Sequence, residues 1–253
     1  MSLSESINFD RIADRYDATR GGERRGRQLA ADIGPLLSRD DHVLEIGVGT
    51  GVISLALREH GFETFGLDIS EHMLTRARER LGRTVVRADA TLLPVADATI
   101  NQALSVWVLH LVADVGAVML EIGRSLRPGG RYLVMDSRAG PEPDDAIDEI
   151  WRAFEDRLGR ERFTGRLRGY TEHAAAGGLQ VVDIVATGPY EFHQSAAEIA
   201  DNIEARTNSW MWSIPDDDWE TASRPAIEQL RSLPDPDRPT LRLDYQEILV
   251  LRR

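Results

Sequence analysis

Cysteine and lysine are both absent from the 253 residues. Without cysteine the chain forms no disulfide and offers no thiolate to zinc, to an iron–sulfur cluster or to a substrate. Without lysine it has no amine for a Schiff base and lacks the lysine of a phosphate-binding P-loop. These catalytic classes are excluded. We expect no metal site either, because the six histidines are scattered without paired ligand spacing.

Basic charge is also in short supply. The chain carries 42 Asp and Glu against 30 basic residues, all of them arginine, for a net charge of −12. Such a surface repels phosphate backbones and anionic lipid headgroups, so we expect neither nucleic acid nor a membrane among the partners. No apolar run reaches the roughly 18 to 20 residues that span a bilayer. The first residues do not resemble a secretory signal, which predicts a cytoplasmic protein.

Short runs rich in Val, Ile and Leu alternate with helical segments in the first half of the chain. Strands that are apolar on both faces and separated by helices form a parallel sheet covered by helices on both sides. The pattern predicts an α/β protein with a doubly wound, Rossmann-like core at residues 40–137, preceded by cap helices at 9–38. The predicted strands lie at 43–46, 62–67, 84–86, 100–106 and 131–135.

The second half of the chain is predicted to complete the sheet. Strands at 179–186 and 240–251 make it seven-stranded and mostly parallel, with an antiparallel last strand in which Leu241 and Leu243 alternate with polar residues. Helical additions are predicted at 141–170 and 195–239, and we interpret the longer one as a lid. Within it, Trp210 and Trp212 suit a flat or apolar small molecule, or pack as helical core. We expect one domain over residues 1–253.

The strongest motif is VLEIGVGTG at 43–51, where three alternate glycines connect a buried strand to a helix. Glycine permits positive φ and lacks the Cβ that would keep a ligand away from the backbone, while amides at a helix start favour an anionic group. The loop therefore predicts a nucleotide-like ligand. A dinucleotide-binding loop would place its third glycine at position 52, which is Val52 here, so the spacing disfavours a nicotinamide cofactor.

Three segments follow this loop in order: GLDIS at 66–70, ADATLLPVADATINQALSVWVLHLVAD at 88–114 and LRPGGRYLV at 126–134. Together the four motifs resemble the class I S-adenosylmethionine-dependent methyltransferases. FDRIADRYD at 9–17 and LLPVADATI at 92–100 resemble, more narrowly, the type 11 small-molecule methyltransferases similar to those of ubiquinone biosynthesis. The resemblance implies S-adenosylmethionine as cofactor and methyl transfer to a small-molecule acceptor. A dinucleotide-dependent oxidoreductase and a non-catalytic S-adenosylmethionine-binding protein are the alternatives.

The resemblance also assigns the residues around the methionine and ribose parts of the cofactor. Gly47, Gly49 and Gly51 would let the backbone lie against the cofactor. Glu45 would help to hold its ammonium group, usually through water. Asp68, at the end of the second strand, would accept hydrogen bonds from both ribose hydroxyls; its alternative role is a helix cap.

The adenine and methionine ends are assigned in the same way. Ile69 and Met73 would border the adenine face, and Asp89 with the Ala90 amide would meet its edge. Taken alone, an aspartate in a loop such as Asp89 is more often a solvated turn residue than a ligand. The backbone carbonyls of two consecutive residues would face the methionine end of the cofactor: Ser105 and Val106.

Two residues are candidates to act on the acceptor. His110 follows the fourth strand, and because the carboxyl ends of strands face the crevice of such a sheet, it is the candidate general base. A packing histidine is the alternative. Tyr16, in the cap segment, is the candidate to close over the cofactor and meet the acceptor, or else a half-buried core aromatic. The cap and lid helices are also candidate surfaces for a homo-oligomer.

Replacement of Asp68 tests the cofactor assignment. Asp68→Ala is expected to weaken cofactor binding by about 1.5 to 3 kcal/mol, because two hydrogen bonds to a charged group are lost. Calorimetric titration with S-adenosylhomocysteine measures the change. Unchanged affinity in a folded variant would remove Asp68 from the site.

Overall fold

A computed structural model of the chain describes residues 17, 21–138, 145–159 and 166–253. The chain divides into two compact units. The first comprises residues 1–138, 164–188 and 246–253, and the second comprises residues 139–163 and 189–245. The expectation of one domain over the whole chain stays a prediction.

Nine strands lie in the described residues, seven of them in one sheet of the first unit. The strands are β1 Val43–Ile46, β2 Thr64–Asp68, β3 Val85–Arg87, β4 Ile100–Val106, β5 Leu126–Arg138, β6 Gln180–Ala186, β7 Tyr190–Gln194, β8 Thr240–Asp244 and β9 Gln246–Arg252. The sheet has the order β3-β2-β1-β4-β5-β9-β6. β1 to β5 pair in parallel, and β9 is antiparallel to both β5 and β6. The predicted doubly wound, seven-stranded fold is confirmed.

The helices are α1 Gly22–Ile33, α2 Val52–Glu59, α3 Glu71–Leu81, α4 Val115–Ser125, α5 Ala146–Arg157, α6 Arg166–Ala176, α7 Ala196–Glu204 and α8 Asp216–Arg231. Several begin where a short polar side chain accepts a hydrogen bond from a free amide of the first turn, as Ser70 does at α3 and Asp114 at α4. Within the described part of the chain, no helix is both long enough and apolar enough to span a membrane.

Each face of the large sheet carries its own apolar core, because successive residues of a strand point to opposite faces. In β5, Tyr132 and Val134 pack into the core that contains residues of α4 and α6. Leu133 and Met135 pack into the core that contains residues of α1 and α2. The strands are therefore covered on both sides, as the near-continuous apolar runs predict.

The predicted strand at 240–251 was wrong as a single element, because it is two strands. β8 pairs with β7 in a separate two-stranded sheet of the second unit, and only β9 enters the large sheet. Leu241 and Leu243 lie on the exposed face of β8, and the buried residue between them is Arg242. Its guanidinium forms ion pairs with Asp145, at 2.5 Å, and with Asp148 at the start of α5. These two ion pairs allow the charged side chain of Arg242, and not the two leucines, to occupy the buried face of β8.

The second unit has a core of its own, and it includes aromatic residues of the predicted lid. The ring centroids of Phe154 and Trp219 lie 5.5 Å apart in an edge-to-face arrangement, and that of Trp210 lies 6.1 Å from Phe154. The Trp212 indole N–H donates to the Arg206 carbonyl at 2.8 Å. Of the two predicted roles, helical core describes Trp210, while a contact with the acceptor stays a prediction.

Two glycines allow α4 and the end of α6 to approach closely. A Cβ built on Gly123 would lie 1.8 Å from the Gly177 carbonyl oxygen, and a Cβ on Gly177 would lie 2.3 Å from the Met119 oxygen. Backbone meets backbone here, so no side-chain rotation can make room for a methyl group. This contact fixes the distance between the two helices on one face of the sheet.

Gly123→Ala is expected to lower the free energy of unfolding by about 1 to 3 kcal/mol or more, because overpacking must push the helices apart. Gly169, in α6, is the matched control: its Cβ would meet no atom within 4 Å. Gly169→Ala should raise stability by about 0.5 to 1 kcal/mol through helix propensity alone. Urea denaturation of both variants measures the contrast. Equal effects of the same sign would contradict the close backbone contact.

Candidate active site

One pocket lies at the carboxyl ends of the central parallel strands, where ligands bind in open α/β sheets. Most of the predicted cofactor-binding residues line it: Gly47, Gly49, Asp68, Ile69, Met73, Asp89, Ala90 and Val106. The remaining lining residues were not predicted, and they are Leu67, Ser70, Ala88, Trp107, Val108, Leu111 and Val112. The walls combine apolar side chains with two carboxylates, Asp68 and Asp89.

The glycine loop borders this pocket through bare backbone. Gly49 has φ +55°, and a Cβ built there would meet no protein atom within 4 Å. A side chain at Gly49 would therefore extend into open space at the pocket wall, in a conformation that L-residues rarely adopt. At Gly51 the constraint is packing, since a Cβ would lie 2.9 Å from Leu81 of α3. The loop fits a group that approaches the main chain closely.

Asp68 connects the glycine loop to the end of β2. Its Oδ2 accepts the Gly49 amide at 2.9 Å, and its Oδ1 accepts the Ser70 amide at 2.8 Å. The hydroxyl of Ser70 accepts the Met73 amide and so caps α3. Asp68 is therefore not needed as the helix cap. A carboxylate oxygen has two lone pairs, so Asp68 can accept further hydrogen bonds on its pocket side.

Glu45 is buried beneath the loop and does not line the pocket. It is 2% exposed and accepts a hydrogen bond from the Ser54 hydroxyl. Burial raises the pKa of Glu45 to about 8; the Ser54 hydrogen bonds lower it, and the charge of Asp68 raises it further. Glu45 is thus mostly protonated at neutral pH in the free protein. Its contact with the cofactor ammonium stays a prediction.

The other predicted positions are placed as follows. Asp89 Oδ1 accepts both the amide and the hydroxyl of Thr91, which holds the carboxylate in a tight turn at the pocket. Ser105 is buried, and its hydroxyl shares a hydrogen bond of 2.7 Å with the Tyr132 hydroxyl, away from the pocket. Val106 is the member of the pair that lines the pocket. Tyr16 lies outside the described residues.

Asp17, next to Tyr16 in the chain, contacts the glycine loop directly. Its carboxylate accepts the Thr50 hydroxyl and an Arg80 N–H, both at 2.6 Å. Arg80 also donates to the Thr50 carbonyl at 2.8 Å. This position of the predicted cap segment is therefore anchored beside the cofactor loop.

His110 lies beyond β4 and does not itself line the pocket, although its neighbours Val108 and Leu111 do. It is joined to a carboxylate that was not predicted. Its Nδ1 lies 2.5 Å from Oδ1 of Asp136, a residue that is fully buried at the end of β5. The second oxygen of Asp136 accepts the Tyr170 hydroxyl at 2.7 Å. Asp136 could have been found as the acidic residue at the carboxyl end of a predicted strand. Tyr170 gave no sequence signal.

Comparison with known proteins identifies the family. Residues 44–134 match the type 11 methyltransferase domain. The phosphatidylethanolamine N-methyltransferase of Cereibacter sphaeroides is 31% identical over 57% of this chain and 74% of that protein. The chain belongs to the S-adenosylmethionine-dependent methyltransferases.

Three further comparisons show what this methyltransferase is similar to. The malonyl-[acyl-carrier protein] O-methyltransferase of Pseudescherichia vulneris is 32% identical over 61% of each chain. The matched region spans only 32% of another curated relative. A Haemonchus contortus phosphoethanolamine N-methyltransferase, solved with S-adenosylhomocysteine, has a TM-score of 0.51 at 18% identity over 92% of this chain and 53% of that one. This last likeness supports the fold.

Titration of Glu45 is expected to appear in the pH dependence of stability. The pKa of Glu45 is about 8 in the folded methyltransferase and near the usual 4.5 when unfolded, so the folded state binds one more proton between these pH values. Its contribution to stability is full below about pH 4.5 and declines by about 1.4 kcal/mol per pH unit as the pH rises to about 8.

Glu45→Gln should remove this dependence, so that the variant gains on the wild type from pH 5 to pH 8. Urea denaturation across that range measures the difference. Glu220→Gln, at an exposed position of α8, is the control for loss of a surface carboxylate. A constant difference between Glu45→Gln and the wild type would show that Glu45 is ionised in the folded protein.

Proposed function

We propose that this methyltransferase transfers a methyl group from S-adenosylmethionine to a small-molecule acceptor in the pocket above the glycine loop. One observation carries the proposal: the Gly49 amide is hydrogen-bonded to Asp68. This bond brings a turn without side chains and a carboxylate suited to ribose hydroxyls to the same wall of the pocket. A ligand with a charged end, a sugar and a flat ring fits that combination.

The pocket residues suit separate parts of the cofactor. We assign Gly47 and Gly49 to the methionine and ribose parts and Asp68 to the ribose hydroxyls. Ile69 and Met73 are assigned to the adenine face, and Asp89 and the Ala90 amide are assigned to its edge. All of these residues line the pocket. Neither Gly51 nor Ser105 lines the pocket, so we assign both residues a structural or main-chain role in the site.

The cofactor, when bound, supplies a methyl carbon made electrophilic by the attached sulfonium. The protein's own residues then have to position the two reactants and to remove a proton from the acceptor. Holding two reactants in line is worth up to roughly 7 to 11 kcal/mol in favourable intramolecular cases. An acceptor that carries a proton on its reacting atom also needs a base, and His110 is the residue we assign to that role.

The acceptor is the least constrained part of the proposal. One relative is named an O-methyltransferase acting on malonyl-[acyl-carrier protein] and another an N-methyltransferase acting on phosphatidylethanolamine. Family membership therefore leaves the methylated atom open. We also propose a cytoplasmic location. We propose further that neither nucleic acid nor an anionic membrane is a partner, because the net charge of −12 would repel both. Assembly into a homo-oligomer stays a prediction.

Binding measurements test the cofactor. Calorimetry of the full chain should show one site for S-adenosylhomocysteine and no binding of NADH. Binding of NADH alone would overturn the proposal in favour of the oxidoreductase alternative.

Variation of His110 tests catalysis against cofactor binding alone. We expect the wild type to release S-adenosylhomocysteine when given S-adenosylmethionine and an acceptor from a panel of carboxylates, amines, phenols and hydroxyl compounds. With that acceptor, His110→Gln should reduce turnover by about 10²- to 10⁴-fold, the usual contribution of a general base. Its affinity for S-adenosylhomocysteine should stay within about twofold of the wild type. Full turnover in His110→Gln would reduce His110 to a packing residue.

A further inference from the structure

Asp136 occupies a β-bulge at the carboxyl end of β5. On the β9 side, Met135 pairs with Ile248 and Ser137 pairs with Glu247, so Asp136 is the extra residue between them. A bulge interrupts the regular alternation of side chains and redirects the residue that it contains. Here it directs a carboxylate that is 0% exposed toward the turn after β4.

The Asp136 carboxylate has three hydrogen-bond partners. The His110 main-chain N–H and the Tyr170 hydroxyl both donate to Oδ2 at 2.7 Å. His110 Nδ1 lies 2.5 Å from Oδ1. A buried carboxylate is costly unless it is well paired, and these three partners from the β4–α4 turn and from α6 surround it.

This arrangement fixes the position of His110 from two sides. Its main-chain amide and its ring are held by the same carboxylate, and the ring packs edge-on against Trp107 with centroids 6.3 Å apart. Trp107 lines the cofactor pocket and has φ +58°, a left-handed conformation that turns the chain back from β4 toward Asp136. The His110 side chain retains 13% exposure.

The hydrogen bond also determines which ring nitrogen carries the proton. An ionised carboxylate can only accept, so the nitrogen facing Asp136, Nδ1, must be the donor. In the neutral ring the lone pair is then on Nε2, at the opposite side of the imidazole. A histidine in this tautomer is prepared to accept a proton at Nε2.

We propose that Asp136 and Tyr170 are positioning residues that hold His110 as a base with its lone pair on Nε2. The inference rests on the proposed function and narrows it to acceptors that carry a proton on the reacting atom. In that reaction the acceptor atom bonds to the methyl carbon, the carbon–sulfur electron pair stays on sulfur, and the acceptor proton moves to Nε2. The resulting imidazolium is balanced by the Asp136 carboxylate and later gives its proton to water.

Tyr170 has a distinct part in this arrangement. Its hydroxyl donates to the same oxygen as the His110 amide, which leaves the other oxygen to the ring. Its phenol ring is buried in the core between the sheet, α4 and α6. Tyr170 thereby orients Asp136 from α6.

Nitrogen NMR of the full chain tests the proposal without an acceptor. Two-bond correlations between ring protons and ring nitrogens distinguish a pyrrole-type from a pyridine-type nitrogen, and loss of one signal set in His110→Gln assigns His110. In the neutral ring of the wild type we expect Nδ1 to be pyrrole-type and Nε2 pyridine-type. Asp136→Asn should make Nε2–H the major form, and Tyr170→Phe should shift the balance in the same direction by less.

Controls separate positioning from general disturbance. Asp97→Asn removes a mostly exposed carboxylate that pairs with Arg124, and it should leave the His110 spectrum unchanged. A wild type with Nε2–H as the major form would overturn the proposal. So would an unchanged tautomer in Asp136→Asn or, should that variant not fold, in Tyr170→Phe.

S-adenosylhomocysteine binding keeps the two proposals apart. Its affinity should stay within about twofold of the wild type in Asp136→Asn and Tyr170→Phe, about 0.4 kcal/mol. If the wild type does not bind S-adenosylhomocysteine, the proposed function fails, and the tautomer result still stands as a property of the histidine.

Discussion

The hydrogen bond from the Gly49 amide to Asp68 joins the ends of two neighbouring strands, and the candidate site is organised around it. β1 and β2 pair in register through Ile46 and Leu67, so the loop after β1 and the carboxylate after β2 leave the sheet side by side. Glycine is required at the donor position because φ is positive there and the pocket begins at its α-carbon. The same bond fixes the carboxylate orientation before a ligand arrives, which lowers the conformational cost of binding.

Much of the parallel part of the sheet and of the glycine turn could be predicted from the sequence, because the signals that specify them are local. Alternating apolar runs and helical stripes specify the parallel strands, and the glycine spacing specifies the turn. The failures involve contacts between distant segments. The division of 240–251 into β8 and β9 depends on the ion pair of Arg242 with residues almost a hundred positions away. The bulge that directs the Asp136 carboxylate toward His110 depends on the register of β9, which no local pattern encodes.

The matched family domain lies within one of the two units of the chain. The matched methyltransferase domain, residues 44–134, lies wholly within the first unit. The second unit has a separate core of aromatic and aliphatic side chains and lies outside that match. Relatives whose names specify different acceptors both match this chain, so family membership does not by itself specify the acceptor.

The position of β9 has a consequence for how the protein is made. Among the strands of the described residues, β6 pairs in the large sheet with β9 alone, and β9 is also the outer neighbour of β5. Until residues 246–252 have left the ribosome, β5 presents an open edge and β6 has nothing to pair with. The large sheet can therefore be completed only after residues 246–252 have been made, a long-range closure of the kind that slows folding.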